Sequence, residues 1–78
     1  MILRTSDLYL SAFLVTSGMR IEDCLLEDNK VVFVIEAHQD TGLLKRVYYN
    51  KTGKIPAREY AENIRLLKNR VHEEMRNG

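Results

Sequence analysis

An uninterrupted apolar run, Val31–Ile35, constrains the fold of this chain more than any other feature. Five successive apolar residues rich in valine are typical of a strand that is covered on both faces. The turn-forming pair Asp28-Asn29 precedes the run, and a second strand-like segment, Arg20–Glu27, precedes that pair. These segments predict an antiparallel hairpin. Because a lone hairpin is marginal in water, helices must pack on it.

A two-residue loop at Asp28-Asn29 fixes which side chains share a face of the hairpin, because successive side chains of a strand alternate between faces. One face is predicted to hold the cross-strand pairs Leu26 with Val31, Cys24 with Phe33, and Glu22 with Ile35. The other face is predicted to hold Ile21, Leu25, Val32 and Val34 together with Asp23 and Glu36.

Helical patterns stand on both sides of the hairpin. Thr5-Ser6-Asp7 is a helix-start signal, and the apolar stretch that follows it runs to Gly18, a natural stop. The apolar residues of this first helix cover most of its circumference, which indicates burial on more than one side. The segment Leu43–Tyr49 follows helical spacing, with Asp40 or Thr41 as cap, although a third strand there is the alternative.

Pro56 opens the clearest helix of the chain, since proline is favoured in a first helical turn. The helix is predicted to reach about Met75, and its buried apolar stripe is predicted to comprise Ala57, Tyr60, Ile64, Leu67 and Val71. At 78 residues the chain has room for one core. We therefore predict a single α+β domain over residues 1–78, with two layers and the element order α-β-β-α-α.

Charge is distributed unevenly along the chain. Residues 1–40 carry three bases and seven acids, whereas residues 41–78 carry nine bases and four acids, and the total is only +1. Between Thr41 and Arg58 there are five bases and no acid. The residues predicted to bind nucleic acid or another anion are Lys45, Arg46, Tyr49, Lys51, Lys54 and Arg58. Cations would neutralise phosphates and tyrosine could stack on an unpaired base, at the amino end of the last helix.

Three interpretations of this basic stretch stay open: a hydrated face that keeps the protein soluble, a nucleic-acid site, and a site for an acidic protein surface. The first helix offers a second candidate surface, because part of its apolar circumference could be left uncovered. The protein-interface candidates there are Leu8, Tyr9, Ala12 and Val15. A homodimer through this flank and full burial within the monomer are the two alternatives.

No enzyme active site is recognisable. Cys24 is the only cysteine and is predicted to be a small core residue, while Asp23, Glu36 and His38 lack the lysine that would complete a nuclease-like set. His38 and His72 are too few for a zinc site, and we expect no cofactor or catalytic residue. No apolar run has the roughly 20 residues needed to cross a bilayer, and the start does not resemble a secretion signal, so we expect a cytoplasmic protein and no membrane contact.

Several short segments along the chain form a recognisable set: Gly18, Thr-Ser-Asp-Leu-Tyr-Leu (5–10), Val-Val-Phe-Val-Ile-Glu (31–36), Tyr-Tyr-Asn (48–50), Ile-Pro-Ala-Arg-Glu-Tyr (55–60) and Leu-Leu-Lys-Asn-Arg-Val (66–71). In these segments the chain resembles a family of small uncharacterised proteins of bacterial and archaeal genomes, phages and other mobile elements, which is classed as a domain of unknown function. Ile55 departs from the pattern, since such relatives carry an acid before the proline.

This resemblance spans nearly the whole chain and implies the order α-β-β-α-α and a mobile-element setting. It transfers no catalytic residue. Together with the basic stretch, it leads us to expect a non-enzymatic binding or regulatory module. The alternative is a phage or mobile-element accessory protein that binds and inhibits or adapts a host protein complex.

Overall fold

The apolar run becomes the central strand of a three-stranded antiparallel sheet. The computed structural model describes residues 1–37, 41–49 and 55–77. Its strands are β1 (Ile2–Thr5), β2 (Arg20–Glu27) and β3 (Lys30–Glu36), in the sheet order β1-β3-β2. Its helices are α1 (Leu8–Thr16), α2 (Thr41–Tyr49) and α3 (Ala57–Asn77). The predicted α+β class and the order α-β-β-α-α are confirmed, with β1 added in front.

The first strand is the element that the sequence pattern did not predict. Leu3 lies opposite Ile35, and Thr5 lies opposite Phe33. The backbone N–H of Ala37 donates to the carbonyl oxygen of Met1 at 2.9 Å, which extends the pairing by one step. Four residues are too few to display a clear alternation, so β1 exists because β3 offers it a free edge to pair with.

The predicted turn and the near half of the hairpin register are confirmed. Asp28 and Asn29 have φ values of 50° and 64°, as the two central residues of a type I′ turn require. Leu26 pairs with Val31, and Cys24 pairs with Phe33.

The predicted register at the far end of the hairpin is wrong. A β-bulge lies between Ile21 and Asp23, so that Ile21 rather than Glu22 lies opposite Ile35. The extra residue turns Ile21 toward the apolar core, which it contacts, and leaves Glu22 exposed. Without the bulge, a carboxylate would be buried opposite Ile35 at a high desolvation cost. Glu22 instead forms an ion pair with Arg20 at 2.6 Å.

The core lies on one face of the sheet. Val31, Phe33 and Ile35 are buried there, whereas Val32 and Val34 on the opposite face are only half-buried. The prediction that β3 is covered on both faces is therefore wrong for the second face. That face carries an ion pair between Arg4 of β1 and Glu27 of β2, which spans β3. The buried cluster comprises Leu10, Ala12, Phe13, Leu14, Met19, Cys24, Val31, Phe33, Ile35, Ala37 and Leu67.

Helix α1 is capped at both ends as its sequence predicts. The Asp7 carboxylate accepts the N–H of Leu10 at 3.0 Å, which satisfies a free amide of the first turn. At the other end Gly18 has φ +100°, and the N–H of Met19 donates to the carbonyl of Leu14 at 3.0 Å. This is a Schellman ending. The five residues 10–14 are all buried, so α1 is covered around its circumference.

The remaining two helices confirm the helical interpretation. Residues 41–49 form α2 rather than a third strand of the hairpin sheet. In α3 the first backbone bond runs from the N–H of Tyr60 to the carbonyl of Pro56 at 3.0 Å. The stripe of α3 contacts the core through Tyr60, Ile64, Leu67 and Val71. Ala57, predicted to belong to this stripe, is exposed instead.

Candidate ligand-binding site

All four tyrosines of the chain line one cavity of about 520 Å³. The cavity lies between α1, α2 and the beginning of α3, on the side of α1 that the sheet does not cover. Its described lining residues are Tyr9, Phe13, Val47, Tyr48, Tyr49, Ile55 and Tyr60. An apolar cavity of this size with a few polar groups has the composition of a small-molecule or side-chain binding pocket.

Aromatic packing holds α2 against α1. The rings of Phe13 and Tyr48 are tilted, with centroids 5.4 Å apart, and the rings of Tyr48 and Tyr49 meet edge to face at 5.0 Å. Such arrangements are the favoured geometries of aromatic pairs, because the ring edge is positive and the ring face is negative. Tyr48 therefore anchors α2 and forms the back of the cavity.

Hydroxyl groups tie the cavity walls to the backbone and to a cap. The hydroxyl of Tyr60 donates to the carbonyl oxygen of Tyr9 at 3.3 Å, which joins α3 to α1. The hydroxyl of Tyr49 donates to Asp7 Oδ2 at 3.3 Å, while Asp7 Oδ1 accepts the N–H of Leu10. One carboxylate thus caps α1 and holds α2 in place.

Two of the tyrosines have raised pKa values. Burial, the negative charge of Asp7 and the neighbouring Tyr60 raise the pKa of Tyr48 to about 12. Desolvation, the charge of Asp7 and the hydrogen bond to Asp7 also raise the pKa of Tyr49. Both phenols therefore stay protonated at neutral pH and keep their hydrogen-bond donors.

Tyr9 and Tyr49 form the mouth of the cavity, with 47% and 61% of their surface exposed. Tyr48 and Tyr60 are half-buried and form its wall. Exposed aromatic rings at the rim of an aromatic cavity can stack on a flat ligand, while the hydroxyls offer hydrogen bonds at its edge.

Among the described residues, none of the predicted cations Lys45, Arg46 and Arg58 lines this cavity. Lys45 and Arg46 come immediately before the lining residue Val47 on α2, and Arg46 is exposed. Arg58 instead lines a neighbouring depression that also contains Glu59 and Glu62. Lys51 and Lys54 lie outside the described residues. The structure thus brings Tyr49 to the cavity and places Lys45 and Arg46 on the same helix.

The four residues of α1 predicted to form a protein interface lie in different environments. Tyr9 lines the tyrosine cavity, Ala12 is completely buried, and Leu8 and Val15 are half-buried. The four residues do not form one exposed patch. Sequence reasoning missed Phe13, Tyr48 and Tyr60 as site residues, because helical spacing assigned them to the core and nothing in the spacing shows that three separate segments meet.

The residues weighed for chemistry lie apart from the cavity. Cys24 is buried, and burial raises the pKa of its thiol. Asp23 is exposed opposite Val34, and Glu36 pairs with the N-terminal amino group at 3.2 Å. Within residues 1–37, 41–49 and 55–77, no three His, Cys, Asp or Glu side chains form a group that could hold a metal ion. His38 lies outside these ranges.

In the part of the chain that the structure describes, no helix has the length and apolar character that a membrane span requires.

Comparison with known proteins places the chain in a family. No curated protein and no solved structure matches the chain. A family model described as a domain of unknown function, DUF5659, matches residues 2–73, which is nearly the whole chain. The chain therefore belongs to the DUF5659 family.

Proposed function

We propose that this domain is a non-enzymatic binding module that takes up single-stranded nucleic acid at the tyrosine cavity. The observation that carries the proposal is the gathering of all four tyrosines around one cavity, with Lys45 and Arg46 on the helix that supplies Tyr48 and Tyr49. An unpaired base would enter between the exposed rings of Tyr9 and Tyr49, and the phosphates on either side of it would meet the cations of α2.

Stacking supplies the first part of the binding energy. A base stacked on an aromatic side chain contributes about 1–3 kcal/mol, and this gain tolerates any base because every base has a π-face. Tyr49 suits the role because its ring is exposed while its hydroxyl is fixed on Asp7. A ring held in position loses little conformational entropy when a base stacks on it.

Electrostatic attraction supplies the second part. Lys45 and Arg46 lie about one turn from Tyr49 on α2, and the stretch from Thr41 to Arg58 contains no acid. A net charge of only +1 disfavours strong non-specific binding to duplex DNA. The proposal therefore requires modest affinity for unpaired strands that falls steeply as salt rises.

The test is fluorescence anisotropy with short labelled single-stranded DNA and RNA, measured over a range of salt. Tyr49→Ala should weaken binding about 5- to 100-fold, from the loss of one stacked base. Tyr49→Phe keeps the ring and should bind within a few-fold of the wild type. Arg46→Gln should weaken binding and reduce the salt slope by about one, whereas Arg65→Gln, the same change on α3, should do neither.

Two outcomes would overturn the nucleic-acid proposal. One is the absence of binding at low salt, and the other is equal binding by Tyr49→Ala and the wild type. If affinity purification then recovers a protein whether or not nuclease is added, the partner is a protein. An acidic protein surface and a host protein complex bound by a phage or mobile-element accessory protein would both give this result.

A further inference from the structure

A second cavity, of about 390 Å³, lies beside the C-terminal half of α3, more than two helical turns from Tyr60. It opens between the loop before α1, the first residues of β3 and the exposed side of α3. Its described lining residues are Ser6, Leu8, Lys30, Val31, Lys68, Val71 and His72. None of these is an acid, although the chain as a whole carries nearly as many acids as bases.

The basic residues that line this cavity come from two different elements. Lys30 begins β3, directly after the hairpin turn, whereas Lys68 and His72 are four residues apart and so share one face of α3. In the part of the chain that the structure describes, no carboxylate forms an ion pair with any of the three. Within the described residues, the positive charge of the two lysines is thus not neutralised by an ion pair.

Two acids near the lining residues in sequence are engaged elsewhere. Asp7 follows Ser6, but its two oxygens accept from Leu10 and Tyr49, on the side of the tyrosine cavity. Glu27 pairs with Lys30 in the strand register, but its carboxylate forms the ion pair with Arg4 across β3. Asp7 and Glu27 are therefore held by other partners. Asp28 and Glu73, also near in sequence, are exposed and do not line the cavity.

We infer that this cavity is a binding site for a phosphate group attached to an apolar or aromatic moiety. The ammonium groups of Lys30 and Lys68 donate charge-assisted hydrogen bonds to phosphate oxygens, and the hydroxyl of Ser6 supplies one more donor. A cavity of about 390 Å³ is larger than a phosphate ion alone. Its floor, made by Leu8, Val31 and Val71, contacts the apolar part of the ligand.

The experiment is a titration of the full chain with phenyl phosphate at constant ionic strength, monitored by the chemical shifts of the backbone amides. Saturable shifts should concentrate at Ser6, Lys30 and the turn from Lys68 to His72. The double variant Lys30→Gln with Lys68→Gln should weaken phenyl phosphate at least 10-fold, whereas Arg65→Gln should not change it. Inorganic phosphate should bind more weakly than phenyl phosphate, because it cannot cover the apolar floor.

The inference fails if the double variant binds phenyl phosphate as well as the wild type does. It also fails if the shifts follow every lysine and arginine on the surface, Arg65 included. Either result is independent of nucleic-acid binding at the other cavity, because Tyr49→Ala should leave phenyl phosphate binding unchanged.

A single-stranded oligonucleotide serves as a second probe, since the same phosphate chemistry occurs in its backbone. Shifts at Lys68 with phenyl phosphate identify a site that accepts free phosphate esters. Shifts there with the oligonucleotide alone, abolished in the double variant, assign the site to a backbone phosphate. If neither probe changes the amide chemical shifts of Lys68 or His72, the cavity is not a phosphate site.

Discussion

The hairpin side and the tyrosine side of this domain are held together by different kinds of contact. On the hairpin side, strand β3 has backbone partners on both edges, and Phe33 and Ile35 are 1% and 0% exposed. On the tyrosine side, α2 rests on α1 through the half-buried ring of Tyr48, which packs on buried Phe13, and through the hydroxyl bond from Tyr49 to Asp7. Stability is therefore concentrated around β3, while the side that offers a ligand surface is held by fewer and more exposed contacts.

This contrast has a consequence for the ligand surface. A segment that carries little of the folding energy can expose aromatic rings and cations without endangering the fold, and can adjust when a ligand binds. The four tyrosines lie where α1 is free of the sheet, so their exposure does not interrupt the core. Substitutions on the two sides should accordingly separate stability from binding.

The largest expected effect is the loss of a core ring on the hairpin side. Phe33→Ala should lower the free energy of unfolding by about 3–5 kcal/mol, because it leaves a cavity among residues that cannot close it. The matched change on the open face, Val32→Ala, should cost about 1 kcal/mol, since Val32 is only half-buried. Chemical denaturation of the two variants measures the difference. Equal costs would show that the open face is covered by something, such as a second copy of the chain.

An intermediate effect is expected at Asp7, which joins α1 to α2. Asp7→Ala removes the acceptor for Leu10 and for Tyr49, and should cost about 0.5–2 kcal/mol. Asp7→Asn keeps an acceptor for the cap and should cost much less. Hydrogen exchange adds a local measure: in Asp7→Ala the amides of α2 should exchange faster, while those of β3 change only with global stability. Similar losses for Ala and Asn would assign the effect to the carboxylate charge instead.

A smaller effect is expected at the hairpin turn. Asn29 has φ 64°, a conformation that alanine adopts at a cost of roughly 1 kcal/mol. Asn29→Ala should therefore lower the unfolding free energy by about that amount, and Asn29→Gly should stay close to the wild type because glycine has no Cβ penalty. Denaturation midpoints of the two variants give the comparison. A destabilising glycine would mean that the Asn29 side chain, rather than its backbone, supports the turn.

The hairpin also shows how much of the fold can be predicted from the sequence. Asp28-Asn29, the pairs Leu26–Val31 and Cys24–Phe33, and the stripe of α3 were predictable because periodicity and turn chemistry are local signals. Strand β1 and the bulge at Ile21 were not, because each is fixed by its partner on β3 rather than by its own pattern. Local alternation gave the wrong face for Ile21.

The candidate site divides in the same way. The basic stretch was predictable from residue types alone, because charge is a property of single residues. Tyr49 was predicted with it because it lies within that stretch. The tyrosine cavity was not predictable, since Tyr9, Tyr48 and Tyr60 come from three helices whose meeting depends on packing against α1. A tyrosine at a helical core position gives no sign of whether its ring will be sealed in the core or left beside a cavity.

The smallest effect expected concerns pH and tests whether Tyr48 belongs to the packed part of the tyrosine side. Its pKa of about 12 exceeds the ordinary value of 10 because burial and the charge of Asp7 disfavour the phenolate. Below pH 10 the phenol is protonated in both folded and unfolded chains, so Tyr48 adds no pH dependence. Between pH 10 and 12 the unfolded chain loses this proton while the folded chain keeps it, so the stability that Tyr48 contributes is lost as pH rises.

Tyr48→Phe isolates this contribution, because it keeps the ring against Phe13 and removes the titrating hydroxyl. The variant should lose less stability than the wild type between pH 10 and 12, and ultraviolet difference absorbance should show one fewer late-titrating tyrosine. Tyr48 is partly reached by solvent, which screens the charge of Asp7 and keeps the difference small. If the two proteins lose stability in parallel, the phenol of Tyr48 is hydrated in the folded state. In that case α2 is held by the ring of Tyr48 alone, and the cavity wall it forms is open to water.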